Sequence, residues 1–207
     1  MIKGIRHILF DLGGVLLNLD YSRTEQAFRD LGIENFDEMF SQLKQTPLFD
    51  ELETGKIGKA DFVAGLRSAA GIEVSDEDLL KAWNAMLLDF PLRRLQLLQQ
   101  LRLHYDLLLL SNTNEVHEEA FNLILNQAHG LSIGMLFDKV YLSHRIGMHK
   151  PDAAVFEHIL NENGLKAEHT LFIDDSPQHI ETAKRLGIQT IWLEKGMTIE
   201  GDIFLQK

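Results

Sequence analysis

The sequence predicts a doubly wound α/β protein, a parallel sheet with a small all-helical block inserted near its N-terminal end. Three observations carry this. Short apolar runs alternate with amphipathic stretches along most of the 207 residues, the pattern of a parallel sheet wrapped by helices. The apolar runs are near-continuous rather than alternating, as strands covered on both faces require. From about Tyr21 to Phe90 the periodicity is helical and no convincing strand occurs.

The elements follow in order. Strands are expected at residues 8–10, 106–110, 139–142, 170–173 and 189–193. The later strands are separated by amphipathic helices at 115–128, 152–163 and 177–186, with Gly164 and Gly187 as stops for the last two. In the helical block, Ser22-Arg23-Thr24-Glu25 has the form of a capping box, and Ser75-Asp76-Glu77-Asp78 is a similar helix start. Asp20 reads as a helix-start residue. Helical patterns recur at 24–31, 36–43, 59–69 and 78–88. The chain is thus expected to divide into an α/β core (1–17 and 91–207) and a helical cap (18–90).

Composition removes several function classes. There is no cysteine, so disulfides, thiolate metal sites and cysteine nucleophiles are excluded. The formal charge is −11 with no basic run, so the clustered positive footprint of a nucleic-acid binder is missing. No run has the apolar length of a membrane span, and no signal-peptide pattern is visible. A cytoplasmic monomer acting on a small molecule is the expectation, and any phosphate site in so acidic a chain must be locally positive.

Four short motifs carry the chemistry: Phe10-Asp11-Leu12-Gly13-Gly14-Val15, Leu110-Ser111-Asn112-Thr113-Asn114, His149-Lys150-Pro151 and Phe172-Ile173-Asp174-Asp175-Ser176. Three of them directly follow a strand, and Lys150 is expected at the start of a helix after the third strand. Ligands of an open α/β sheet bind at the carboxyl ends of its strands, so these groups can converge. A carboxylate such as Asp11 can attack a phosphoryl group and form an acyl phosphate. Mg²⁺ takes oxygen ligands, usually one or two carboxylates plus substrate oxygens and water. The Lys150 ammonium can hold a phosphate oxygen, and the Ser111 hydroxyl with nearby backbone N–H groups can donate to the others. Each motif alone has an ordinary reading. Asp11 could be a turn residue, Lys150 a surface lysine, and Ser111–Asn114 and Asp174–Pro177 helix caps. The signal is all four in one order.

In that order the chain resembles the haloacid dehalogenase superfamily, in the subgroup with a helical cap after the first strand. The motifs Asp11-Leu12-Gly13-Gly14-Val15, Leu110-Ser111-Asn112-Thr113-Asn114 and Gly147-Met148-His149-Lys150-Pro151-Asp152 look most like its α-D-glucose-1-phosphate phosphatase branch. The resemblance implies a Mg²⁺-dependent phosphohydrolase acting on a small phosphorylated metabolite, such as a sugar phosphate. It implies Asp11 and Lys150 as catalytic residues, and Ser111, Asn112 and Lys150 as phosphate binders. Metal binding would fall to Asp11, the Gly13 carbonyl, Asp174 and Asp175, with Asp175 as the direct carboxylate ligand and Asp174 acting through water.

One position departs from the pattern. Family phosphatases usually carry a second Asp two residues after the nucleophile, which protonates the leaving group; here it is Gly13. The rival reading is therefore a catalytically weakened protein of the same fold that binds phosphosugars or serves as an interaction protein. His144 and His149 lie close in sequence to the third motif, but each reads as a surface histidine rather than a substitute acid. A two-component receiver places its acidic pair before the phosphorylated Asp, whereas here the pair comes last. A haloacid dehalogenase proper needs no metal and so no Asp174–Asp175 pair.

Overall fold

Both faces of the first strand are apolar, and this places it at the centre of the molecule. In the computed structural model, which describes residues 2–33, 35–71 and 73–204, a five-stranded parallel sheet runs β3-β2-β1-β4-β5. The strands are β1 (His7–Phe10), β2 (Asp106–Ser111), β3 (Lys139–Leu142), β4 (Thr170–Asp174) and β5 (Gln189–Trp192). Ile8, Phe10, Leu107, Leu109 and Ile173 join one hydrophobic cluster, while Leu9, Leu108, Leu110 and Phe172 join another on the opposite face. Alternate side chains thus serve two cores, which is why the strands read as unbroken apolar runs. Phe10 pairs with Leu109 on one side and Ile173 on the other, so the ends of the three central strands are level. The chain leaves β1 towards β2 and β3, then returns across it to β4 and β5. The crevice at that reversal is where an open sheet receives its ligand.

Between β1 and β2 lie α1 (Tyr21–Asp30), α2 (Phe36–Lys44), α3 (Leu48–Glu53), α4 (Lys59–Ala70), α5 (Asp76–Asn84) and α6 (Leu92–Leu101). The first five share a separate core that includes Phe28, Phe36, Leu43, Leu52, Phe62 and Trp83. The remaining helices are α7 (Glu115–His129), α8 (Ile133–Leu136), α9 (Ser143–Ile146), α10 (Ala153–Glu162) and α11 (Pro177–Arg185). Met1, Glu34, Ile72 and residues 205–207, which fall within the expected limits of core and cap, lie outside the described residues. No helix among the described residues is long and apolar enough to cross a membrane.

Several expected boundaries move for local reasons. The cap of α1 is Asp20, not Ser22: its backbone is extended and its carboxylate accepts from the Ser22 N–H at 3.1 Å and the Ser22 hydroxyl at 2.6 Å. Glu25 is drawn instead to Arg29, one turn on. Ser75 does cap α5, accepting from the Asp78 N–H. That helix stops at Asn84 rather than reaching 88, because the next residues pair with the linker leaving β1. The Asn18 N–H donates to the Asp89 carbonyl, the Leu88 N–H to Asn18, and the Asp20 N–H to Met86. These bonds satisfy backbone groups that a longer helix would have used. The short α3 was not expected; Pro47 before it and Asp50 and Glu51 in its first turn were its signal. Lys150 is not in a helix. Asp152 caps α10, which begins at Ala153.

Candidate active site

Asp11 follows β1 directly, and its N–H still donates to the Ile173 carbonyl at 2.9 Å, so its position is fixed by the sheet. Lys150 is fully buried beside it. The Lys150 Nζ donates to Asp11 Oδ1 at 2.7 Å, to Asp174 Oδ2 at 2.7 Å and to the Leu110 carbonyl at 3.0 Å. All three donors of the ammonium are used, so Lys150 ties the ends of β1, β2 and β4 together. The loop carrying it is held in turn by Asn112. That amide donates to the Lys150 carbonyl at 2.7 Å and accepts from the Lys150 N–H at 2.9 Å. Both ends of the Asn112 side chain are therefore engaged with Lys150. Ser111 ends β2, and its hydroxyl makes only a long contact, 3.4 Å to the Asn112 carbonyl.

Asp174 is inaccessible to solvent. Its carboxylate accepts from Lys150, from the Ser176 N–H at 2.7 Å and from His179 Nδ1 at 3.0 Å. Burial pushes its carboxyl up, but Lys150 and His179 outweigh that and hold it below the usual carboxylate range. Asp175, beside it, is exposed and lies against Gly14. A Cβ on Gly14 would collide with Asp175 Oδ2, and the φ of +74° there also favours glycine. Burial and the neighbouring Asp174 raise the Asp175 carboxyl. For Asp11, burial outweighs the pull of Lys150 and pushes the carboxyl up to about 6, with Asp174 and Asp175 adding to the rise.

Oxygens of Asp11, Asp174 and Asp175 all lie within 4.8 Å of one another. With the three carboxylates ionised, the single ammonium of Lys150 leaves a local charge of about −2. A divalent cation with a preference for oxygen fits that deficit and that donor set. Asp174 spends its acceptors on Lys150, Ser176 and His179, while Asp175 is not so committed and faces solvent.

A cavity of about 250 Å³ opens over these groups, lined by Asp11, Gly13, Ser111, Asn112, Lys150 and Asp175. Of the expected site residues, only Asp174 is not on its wall; it lies directly behind, under Lys150. Gly13 does not have a left-handed φ. A Cβ added there would meet the Leu19 Cδ1 methyl at 2.7 Å. A leucine tip therefore crowds the space a side chain at position 13 would enter.

Tyr21, Met86, His117 and His179 are among the lining residues that lie outside the four motifs. His117 and His179 stand in the first turns of α7 and α11, each three residues beyond a helix cap at a strand end. That placement was the available clue. The His117 ring stacks on Trp83 with centroids 5.2 Å apart, its Nδ1–H donates to Asn84 Oδ1 at 2.8 Å, and burial pushes its pKa down to about 4. His144 and His149 are not on the cavity wall. Neither is a free surface residue either. His144 meets Glu118 at 3.0 Å, and His149 bridges to Glu53 of α3 at 3.3 Å.

The family model described as a haloacid dehalogenase-like hydrolase matches residues 5–187. The chain belongs to the haloacid dehalogenase-like hydrolase family. It is 33% identical over 192 residues to D-ribitol-5-phosphate phosphatase of Bacteroides thetaiotaomicron, covering 93% of each protein. A crystal structure of a HAD family enzyme from the same organism superposes with a TM-score of 0.88 at 37% identity, covering 94% of this chain and 96% of that one. Another structure of that enzyme, wild type in complex with magnesium and inorganic phosphate, gives a TM-score of 0.83 at 35% identity, with 93% and 96% covered.

Proposed function

We propose that the protein is a Mg²⁺-dependent hydrolase of small phosphate monoesters, working through a phosphoryl group carried on Asp11. One observation carries the reading. Lys150 Nζ bridges Asp11 and Asp174 at 2.7 Å each, and Asp175 completes a cluster of carboxylate oxygens at level strand ends. The relative named as a phosphatase and the magnesium–phosphate complex of a similar fold support it.

In this reading Asp11 is the nucleophile. Lys150 holds Asp11 Oδ1, leaving Oδ2 free to attack phosphorus. Lys150 also presents its charge to a phosphate oxygen, and the Ser111 hydroxyl, nearly unengaged, donates to another. Asn112 fixes the Lys150 backbone. A Mg²⁺ ion would be held by Asp11, the Gly13 carbonyl and Asp175, with Asp174 as the water-mediated partner. When bound, Mg²⁺ supplies positive charge that offsets the repulsion between the carboxylate and a phosphate dianion. Asp174 and His179 keep Lys150 in place. Sugar and polyol phosphates are the first substrates to try, on the motif likeness and the name of the relative.

The rival reading, a phosphosugar binder without turnover, has one observation behind it: Gly13 with Leu19 packed over it. Phosphate release from p-nitrophenyl phosphate and a panel of sugar phosphates, with Mg²⁺ and with chelator, separates the two. Release that requires Mg²⁺ supports the hydrolase. Binding without release from any ester supports the binder.

A further inference from the structure

We infer that the physiological substrates are aryl phosphates, monoesters of a phenol bearing a further apolar group, whose ring portion occupies an aromatic chamber in the cap. The inference rests on the phosphatase reading above and names the alcohol that reading leaves open. Two independent observations point the same way.

The first is the shape and lining of the space beyond the phosphate site. A second cavity of about 600 Å³ adjoins the first and shares Tyr21, Met86, Asn112, Thr113 and His117 with it. Its wall includes Phe36, Phe40, Phe49, Leu52 and Trp83. The rings form a run: Phe36 to Phe40 at 5.3 Å, Phe40 to Phe49 at 5.1 Å and Phe49 to Trp83 at 5.4 Å. The wall also carries Ser22, Lys44, Asp50 and Glu53, and its polar side chains are largely engaged with protein partners: Ser22 with Asp20, Asp50 with Lys56, Glu53 with His149, and Lys44 over the Phe40 ring at 4.8 Å. Thr24 donates to the Trp83 carbonyl and accepts from the Met86 N–H, Glu25 pairs with Arg29, and Thr46 donates to the Leu43 carbonyl. Asn114 accepts from the His117 N–H and His117 is bonded to Asn84. A polyol entering here would give up water at each hydroxyl and find few replacements, which disfavours it. An apolar ring would gain by leaving water.

The second observation concerns the leaving group. Gly13 brings no acid, and the side chain against it is the Leu19 tip; Met86, Leu87 and Phe121 line the same cavity, and its two histidines, His117 and His179, are bonded to Asn84 and Asp174. An alkyl alkoxide leaves poorly without a proton. A phenolate does not need one, because a phenol ionises near pH 10. The step balances as follows. Asp11 Oδ2 bonds to phosphorus, the P–O bond to the ring breaks, and its electron pair leaves as phenolate, which takes a proton from solvent. Water then attacks phosphorus, the bond to Asp11 breaks, and inorganic phosphate and the free carboxylate are restored. No oxidant or second reactant is needed.

The test uses four monoesters with Mg²⁺: 2-naphthyl, phenyl, cyclohexyl and ribitol 5-phosphate. Phenyl and cyclohexyl are matched in size, so their ratio in kcat/KM reports the leaving group; it is expected to exceed about 100, the lower end of what a general acid supplies. Naphthyl over phenyl reports the chamber and is expected at about tenfold or more. Phe49→Gln should shrink the naphthyl preference. Because that variant could misfold, wild-type protein provides a parallel reading: 2-naphthol should inhibit competitively at far lower concentration than ribitol. Ribitol 5-phosphate as the best substrate overturns the inference and leaves the phosphatase reading standing. No hydrolysis of any of the four overturns both.

Discussion

Acid should loosen the cap through one buried histidine, His117. It stands in the first turn of α7, and its ring is clamped between Trp83 and the Asn84 amide of the cap helix α5. Its pKa lies near 4 in the folded protein, pushed down by burial from 6.5. Between those two values the unfolded chain binds more protons, so stability rises with pH across that window and is lost as pH falls from 6.5 towards 4. At pH 4.5 the linkage amounts to about 2–3 kcal/mol, and at pH 7.5 it is close to zero. The perturbation is His117→Gln, which keeps an amide within reach of Asn84 but does not titrate. Urea unfolding of both proteins at pH 7.5 and pH 4.5 gives the difference of differences, in which every other titrating group cancels. Wild type should lose about 2–3 kcal/mol more than the variant on acidification. Parallel losses in the two proteins would refute the reasoning, showing that His117 is protonated in the fold or meets water there.

Three further outcomes follow from the site. Lys150→Met leaves Asp11 and Asp174 facing each other without their buried cation, so chelator-treated variant should unfold about 3–5 kcal/mol more easily, read by urea melts, and should release no phosphate. Asp175→Ala removes the carboxylate left uncommitted by the protein and should weaken Mg²⁺ binding at least tenfold by calorimetry, whereas loss of Lys150 should not abolish it. Gly13→Asp should speed cyclohexyl phosphate hydrolysis and leave phenyl phosphate little changed, because the backbone there accepts a side chain once the Leu19 tip swings aside. Equal effects on both esters would show that the new carboxylate is not acting as an acid.

The parts of this architecture that the sequence revealed are those where one constraint dominates. Strands β1, β2 and β4 are buried on both faces, so their apolar runs are unbroken and their ends fall within a residue of the expected positions. The candidate site residues at those ends were legible because Asp11, Ser111 and Asp174 follow the runs directly. What remained hidden depends on distant partners. The Asn112 clamp on Lys150 joins residues 38 apart in sequence. The early end of α5 depends on backbone pairing with Asn18 and Asp20, which no local propensity encodes. Ser22 and Glu25 had the right spacing for a capping box, yet the Asp20 carboxylate takes both the N–H and the hydroxyl of Ser22. His117 and His179 are single histidines with no spacing to mark them, and only the level strand ends turn them towards the site.

In the proposed reaction Asp11 carries the phosphoryl group. Rapid acid quench of the protein turning over phenyl phosphate with Mg²⁺, followed by peptide mass mapping, reads this directly. A phosphorylated peptide containing Asp11 is expected, absent from Asp11→Asn, together with loss of Mg²⁺-dependent phosphate release in that variant. Undiminished turnover by Asp11→Asn, or a phosphoryl group on any other residue, would contradict it.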